Sequence, residues 1–151
     1  MNSILLILLF HFSSYSNDIN IIRDLYLSAY TSEENCNKLG EKLSSIDRDK
    51  SILIKGYEGC FYFIKCKFIN NPIEKIIYFN KGKELLEAAI NQKPKSVELR
   101  FLRYSIQKNI PRFLLYDNIE KDLNFVNNNI EGVSDMKAQA FITSSIKSIT
   151  K

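Results

Sequence analysis

The amino-acid sequence predicts an all-α protein in which about seven helices over residues 17–151 form a single domain of antiparallel helical hairpins. Apolar residues recur at steps of three and four in successive segments along this stretch, which is the spacing of one face of a helix. Capping residues and prolines separate the segments. A length of 151 residues is typical of one domain, and no linker or low-complexity run divides it.

Residues 1–16 have the composition of a secretory signal peptide. Residues 4–12 form an apolar run that is too short for a membrane span, which takes about 20 residues, and small residues precede a cleavage position after Ser16. The alternative is a buried amino-terminal helix, because no Lys or Arg precedes the run and His11 lies within it. The sequence thus predicts an exported protein, periplasmic or secreted, with no transmembrane segment after signal removal.

The first two helices are predicted from their apolar stripes. The first covers residues 18–30, and the second opens at Thr31, which has capping-box spacing with Glu34. A charged turn at residues 47–49 ends the second helix. The stripes consist of Ile19, Ile22, Tyr26 and Ala29 in the first helix, and of Cys36, Leu39, Leu43 and Ile46 in the second.

Residues 51–69 are ambiguous by composition and are assigned by their period. The aromatic and β-branched run at residues 60–64 favours a strand, in a hairpin that would turn at residues 56–59. However, Ile54, Tyr57, Phe61, Ile64 and Phe68 follow one another at steps of three and four. The period predicts a third helix that is buried on two sides.

Two further helices are predicted to form a hairpin over residues 71–111. Asn71 caps the fourth helix, Pro72 suits its first position, and Pro94 ends it near Gln92. Its predicted inner face consists of Ile73, Ile76, Phe79, Leu86, Ala89 and Ile90. Ser96 can cap the fifth helix.

The fifth helix is predicted to bury Leu99, Leu102 and Ile106, which step by three and four. Because buried charge is costly, we expect Arg100 and Arg103 on the opposite, outer face. A sixth helix over residues 117–130 and a seventh from Ser134 or Asp135 complete the chain, with Gly132 as the stop between them. The stripe of the seventh consists of Ala138, Phe141, Ile142, Ser145 and Ile149.

The fourth helix resembles the second half of a tetratricopeptide repeat. The residues that carry the resemblance, at steps of four, three and five, are Gly82, Leu86, Ala89 and Pro94. The resemblance implies a hairpin in which small residues let two helices approach closely. Leu86 stands where the repeat has an aromatic residue, and the register shifts by one after Pro94, so a divergent tetratricopeptide-like stack is expected.

The whole predicted mature chain, through residues 22–39, 78–90 and 97–122, also resembles a group of small exported bacterial proteins of unknown function. This resemblance implies a single helical domain behind a signal peptide. It implies no activity and no catalytic residues.

The chemistry available to the chain argues against catalysis. His11 is the only histidine, so the predicted mature chain has no Ser–His or Cys–His pair and no histidine metal ligand. It also has no glycine-rich phosphate loop, so we expect no cofactor and no metal. A net charge of +4 is too small to predict a nucleic-acid partner. An enzyme that works without histidine is the third hypothesis for function.

The densest cationic and aromatic cluster supplies the candidate binding residues. Arg100 and Arg103, one turn apart, could hold a carboxylate or phosphate in a bidentate fork. Tyr104 and Gln107 lie beside them on the fifth helix, and Tyr57 of the third helix could line the same groove. These five residues form the predicted binding site.

Three interpretations of the two arginines remain open. They could pair with acids of the sixth helix, such as Glu120 or Asp122, and be structural. They could line a groove that binds a protein or peptide. They could instead contact an anionic lipid or glycan of the cell envelope. The predicted function is that of an exported, non-catalytic interaction or scaffold protein with a protein or peptide partner, and the anionic envelope component is the alternative.

Overall fold

A computed structural model describes residues 17–46 and 51–150, and the regular elements within these ranges are all helical. This confirms the predicted all-α class. The predicted signal peptide and the charged turn at residues 47–49 lie outside the described residues. The elements are α1 (residues 17–29), α2 (Glu33–Ser44), α3 (Ile52–Lys65), α4 (Pro72–Gln92), α5 (Val97–Asn109), α6 (Ile119–Asn129) and α7 (Met136–Ile149), with 3₁₀ turns at Arg112–Leu114 and Ile130–Gly132.

Side-chain caps fix where several helices begin. The side chains of Asn71, Ser96 and Asp135 accept hydrogen bonds from backbone amides in the first turns of α4, α5 and α7, as predicted. The prediction for α2 is wrong by one residue. Ser32, and not Thr31, accepts the bond from the Asn35 amide, and the Thr31 hydroxyl donates to the Ser28 carbonyl. None of the described helices is both long and apolar enough to cross a membrane.

Consecutive helices run antiparallel. Asp18 near the start of α1 pairs with Lys42 near the end of α2, and Glu33 at the start of α2 meets Lys65 at the end of α3. Among α2 to α7, the α3–α4 pair packs most extensively and the α5–α6 pair comes next, whereas α4 and α5 touch much less. The predicted hairpin over residues 71–111 is therefore not the main packing unit, because each of its helices packs principally on another neighbour.

The odd-numbered helices share one core. Tyr26 of α1 packs edge-on against Tyr57 of α3 and Phe141 of α7, and its hydroxyl donates to Ser105 of α5 at 2.8 Å. Phe101 of α5 also packs against Phe141. Because α1 contacts both α5 and α7, the helices close around a common centre. Stacking of the tetratricopeptide kind is not established by this arrangement and stays a prediction.

The α3–α4 contact depends on two glycines. A Cβ added at Gly59 would lie 2.8 Å from both the carbonyl oxygen of Gly82 and the amide nitrogen of Leu86. A Cβ at Gly82 would lie 2.8 Å from the carbonyl oxygen of Gly59. The close approach expected at Gly82 is thus present, and its partner is α3.

Burial along α4 changes halfway. In its second half Leu86, Ala89 and Ile90 are buried, as predicted. In its first half Ile73 and Ile76 are 69% and 61% exposed, so their assignment to the inner face is wrong. Nothing among the described residues covers that part of the helix, and it forms one wall of a groove.

Candidate functional site

The predicted binding residue Arg103 lies inside the protein and not on an outer face. It is 5% exposed. Its Nε and Nη2 atoms donate to the two carboxylate oxygens of Asp122 at 2.6 and 2.8 Å, and Nη1 donates to both oxygens of Glu87 at 2.9 and 2.8 Å. The side chain thereby joins α4, α5 and α6 through two bidentate interactions.

Arg100 shares the same carboxylate. Its Nη1 donates to Asp122 Oδ1 at 3.1 Å, its Nε donates to the Pro94 carbonyl at 3.2 Å, and its guanidinium lies over the Phe125 ring. Asp122 is fully buried, and two arginines compensate its charge. The geometry matches the first of the three interpretations, in which the arginines pair with an acid of the sixth helix.

The other predicted binding residues are also buried. Tyr57 donates from its hydroxyl to Glu98 Oε1 at 2.6 Å, in a separate cluster where Arg23 binds the same carboxylate. Tyr104 is 1% exposed, and burial raises the pKa of its hydroxyl. Gln107 accepts a hydrogen bond from the Asn118 amide at 2.7 Å. The five residues therefore do not form one surface, and the expected outer face is wrong because ion pairing lets charge enter the core.

The carboxylates around Arg103 favour the charged state of its guanidinium. Burial disfavours the guanidinium charge, but the hydrogen bonds that Arg103 donates to Asp122 and Glu87 outweigh this cost and raise the pKa of Arg103. Tyr116 donates to Glu87 Oε1 at 2.5 Å, and burial followed by this bond raises the pKa of its hydroxyl well above the usual value. Tyr116 thus ties the segment after α5 to α4.

A groove of about 870 Å³ lies at the end of the molecule where α1, α3 and α5 terminate. Its buried floor includes Phe63, Ile64 and Ile106. The exposed first half of α4 forms one wall with Ile76, and the 3₁₀ turn after α5 contributes Phe113, which is 79% exposed. The groove is apolar and open to solvent.

The segment that carries Phe113 has a distinctive backbone. Leu115 adopts a left-handed conformation with φ 51° and ψ 38°, which costs a non-glycine residue about 1–2 kcal/mol. Tyr116 next to it is buried, stacks on Phe63 at 5.7 Å and meets Phe79 edge-on. Such strain persists only where surrounding contacts hold it, and here those contacts fix the wall against the floor of the groove.

The charges that line the groove are of one sign. Its sixteen lining residues include Lys67 and Lys75 but no Asp or Glu. Lys67 Nζ donates to the Tyr30 carbonyl at 2.7 Å, at the end of α1. Lys75 forms no ion pair with any residue that the structure describes. The groove therefore combines an apolar floor with a positive rim.

Nucleophilic and metal chemistry is sparse at this site. Cys66 lines the groove, while Cys36 and Cys60 are buried in the core, and all three are free thiols. Burial raises the pKa of each thiol, to about 11 for Cys36, which disfavours the reactive thiolate. Within residues 17–46 and 51–150, no cluster of acidic, cysteine or histidine side chains could hold a metal. The arrangement is suited to binding apolar groups.

Comparisons with protein-family models, with curated proteins and with solved structures found no match to this chain. A role for the groove residues therefore rests on their geometry. The sequence does contain a signal for them, because Ile73, Ile76 and Ile77 spread apolar character beyond one face of α4. The apolar connector at residues 112–116 is the second signal.

Proposed function

We propose that this protein is a non-catalytic interaction or scaffold protein that holds an apolar segment of a protein or peptide partner in the groove between α4 and the turn at Arg112–Leu114. The single observation that supports the proposal is the pair of exposed apolar walls over a buried apolar floor. Exposed apolar surface in a concave site is typical of partner recognition. Helical or extended peptides commonly seat their apolar side chains in such grooves.

The groove is favoured over the arginine cluster for a physical reason. Arg103 already donates to Asp122 and Glu87, and Arg100 donates to Asp122 and to the Pro94 carbonyl. A ligand anion would have to displace a buried carboxylate and leave it uncompensated, which is costly. The alternative of an anionic lipid or glycan bound by Arg100 and Arg103 is therefore disfavoured, because neither guanidinium is free.

We also propose that the protein is exported, on the basis of residues 1–16. Mass spectrometry of the protein purified from its own host should find an amino terminus near Asn17. Recovery of intact Met1 would contradict export. The non-catalytic role is argued from the sequence, because His11 is the only histidine and precedes that cleavage position.

The binding proposal can be tested by selecting peptides from a displayed random library on the protein purified from its own host. Enriched peptides are titrated against wild type, Ile76→Ser, Phe113→Ser and Met136→Ser. Met136 is the matched control, since it is 72% exposed but begins α7 at the opposite end of the molecule. We expect affinity to fall about tenfold or more in the groove variants and to be unchanged in the control. Binding that ignores the groove variants would contradict the proposal.

A further inference from the structure

We propose that the occupant of this groove is an acidic amphipathic peptide segment, whose apolar face contacts the groove and whose carboxylates meet Lys67 and Lys75. The inference rests on the proposed function and specifies the chemistry of the partner. It is carried by the charge of the groove, in which both charged lining residues are lysines.

The buried and half-buried arginines of the described residues are paired within the protein. Arg23, Arg100 and Arg103 are each hydrogen-bonded to carboxylates of the protein itself. Lys75, by contrast, has no carboxylate partner among the described residues. Unpaired charge beside exposed apolar surface is the pattern by which interfaces select a complementary partner.

Two further exposed cations lie next to the groove in the chain. Lys108 and Arg112 flank the groove-lining residues Asn109 and Pro111 in the chain, are exposed, and form no ion pair with any residue in the described ranges. Glu74 is the acid next to Lys75 in the chain. However, the lining residues of α4 are spaced at steps of three and four that leave Glu74 on another side of the helix. An acidic segment would therefore meet attraction along this rim.

The shape of the site favours a peptide over a membrane. Phe63, Ile64 and Ile106 are buried at the bottom of the groove, between the wall of α4 and the turn that carries Phe113. A bilayer surface contacts protruding side chains and cannot reach such a floor, whereas the side chains of one peptide face can. The hydrogen bond from Tyr116 to Glu87 and the stacking on Phe63 hold the second wall in place before binding. Less ordering is then needed when the partner arrives.

Three synthetic peptides of about 14 residues test the inference. All carry one helical stripe of Leu and Phe, and the flanking positions are Glu, Gln or Lys. We expect the Glu peptide to bind most tightly and the Lys peptide most weakly. The affinity of the Glu peptide should decrease about tenfold as NaCl rises from about 50 to 500 mM, because added salt screens the charges of the rim.

Variants locate the charge effect. Lys75→Gln should weaken the Glu peptide about threefold and leave the Gln peptide unchanged, as expected for one exposed ion pair. Lys137→Gln is the matched control, because Lys137 is exposed in the first turn of α7 at the opposite end of the molecule. It should change neither affinity.

The outcomes separate the two proposals. If all three peptides bind equally and Phe113→Ser weakens them, the groove function stands and the acidic partner is wrong. If none binds, the proposed function itself is contradicted. Phe113-dependent binding to phosphatidylglycerol vesicles, with no peptide binding, would replace the peptide by a membrane. A dimer in sedimentation that Phe113→Ser dissociates would replace it by a second copy of the chain.

Discussion

The first half of α4 and the whole of α5 are neighbours in the chain and opposites in burial. The first half of α4 is rich in isoleucine, yet Ile73 and Ile76 are exposed. The helix α5 carries Glu98 and Arg103, yet both are buried, and residues 101–107 are buried without a break. Burial along these helices follows the available packing partner more than the polarity of the residue.

The physical reason lies in what surrounds each segment. α5 is enclosed by α3, α6 and α7, so its charges must find partners inside, and Asp122 and Glu87 provide them for Arg103. Nothing in the described chain covers the start of α4, so its isoleucines remain in solvent. Exposed apolar groups are tolerated at a modest cost, whereas unpaired buried charge is not.

The largest expected effect comes from removing the carboxylate that pairs with the arginines of α5. Asp122→Ala should lower the free energy of unfolding by about 3–5 kcal/mol, because Arg100 and Arg103 would lose their shared buried carboxylate. Urea unfolding followed by circular dichroism measures this. The matched control is Glu120→Ala, since Glu120 is exposed on the same helix and should change stability by less than about 0.5 kcal/mol. Equal effects from the two variants would contradict the buried network.

The contrast within α4 predicts the next effect. Leu86→Ala should cost about 2–5 kcal/mol, because Leu86 is fully buried and its removal leaves a cavity. Ile76→Ala on the same helix should cost less than about 0.5 kcal/mol. Thermal or urea denaturation of both variants compares the two halves directly. A large loss for Ile76→Ala would mean that the first half of α4 is covered in solution.

The α3–α4 crossing supplies a smaller effect. Gly82→Ala should lower the free energy of unfolding by about 1–3 kcal/mol, since the new Cβ meets the Gly59 carbonyl, which is backbone and cannot move aside freely. Gly132→Ala is the control, because nothing lies within 4 Å of a Cβ there. The φ of Gly132 is not positive, so an alanine there meets no left-handed strain. A neutral Gly82→Ala result would argue against the close approach.

The smallest effect distinguishes a buried unpaired thiol from a buried paired charge. Burial raises the pKa of Cys36 to about 11, so above the unfolded-state pKa of about 8.5 only the unfolded state releases its proton. The contribution of the Cys36 thiol to the free energy of unfolding is therefore fully present at neutral pH. It should fall by about 1 kcal/mol between pH 8 and 9.5. Cys36→Ala should flatten that slope when urea midpoints are compared across this range. An unchanged slope would mean that Cys36 does not contribute.

Prediction of the candidate site from the sequence failed at an identifiable step. Because charge is costly in a core, the sequence predicts an outer face for Arg103. This prediction is wrong, since Arg103 donates to Glu87, which lies in a different helix. The prediction that Ile76 lies on an inner face is wrong for a similar reason. The period of apolar residues identifies an apolar face but does not identify what covers it. The sequence does show the groove residues, as apolar residues of α4 and of the connector at residues 112–116, but it does not show that they meet in one groove.

The sequence by itself determined the helical class, the capping of α4, α5 and α7, and the close approach at Gly82. These depend on local backbone chemistry, on period and on side-chain size, which are read from neighbouring residues. Only the tertiary structure decided which side chains are buried, because this depends on contacts between distant segments. Arg103 enters the core through Asp122 and Glu87, and Ile76 stays outside because the fold leaves the first half of α4 uncovered.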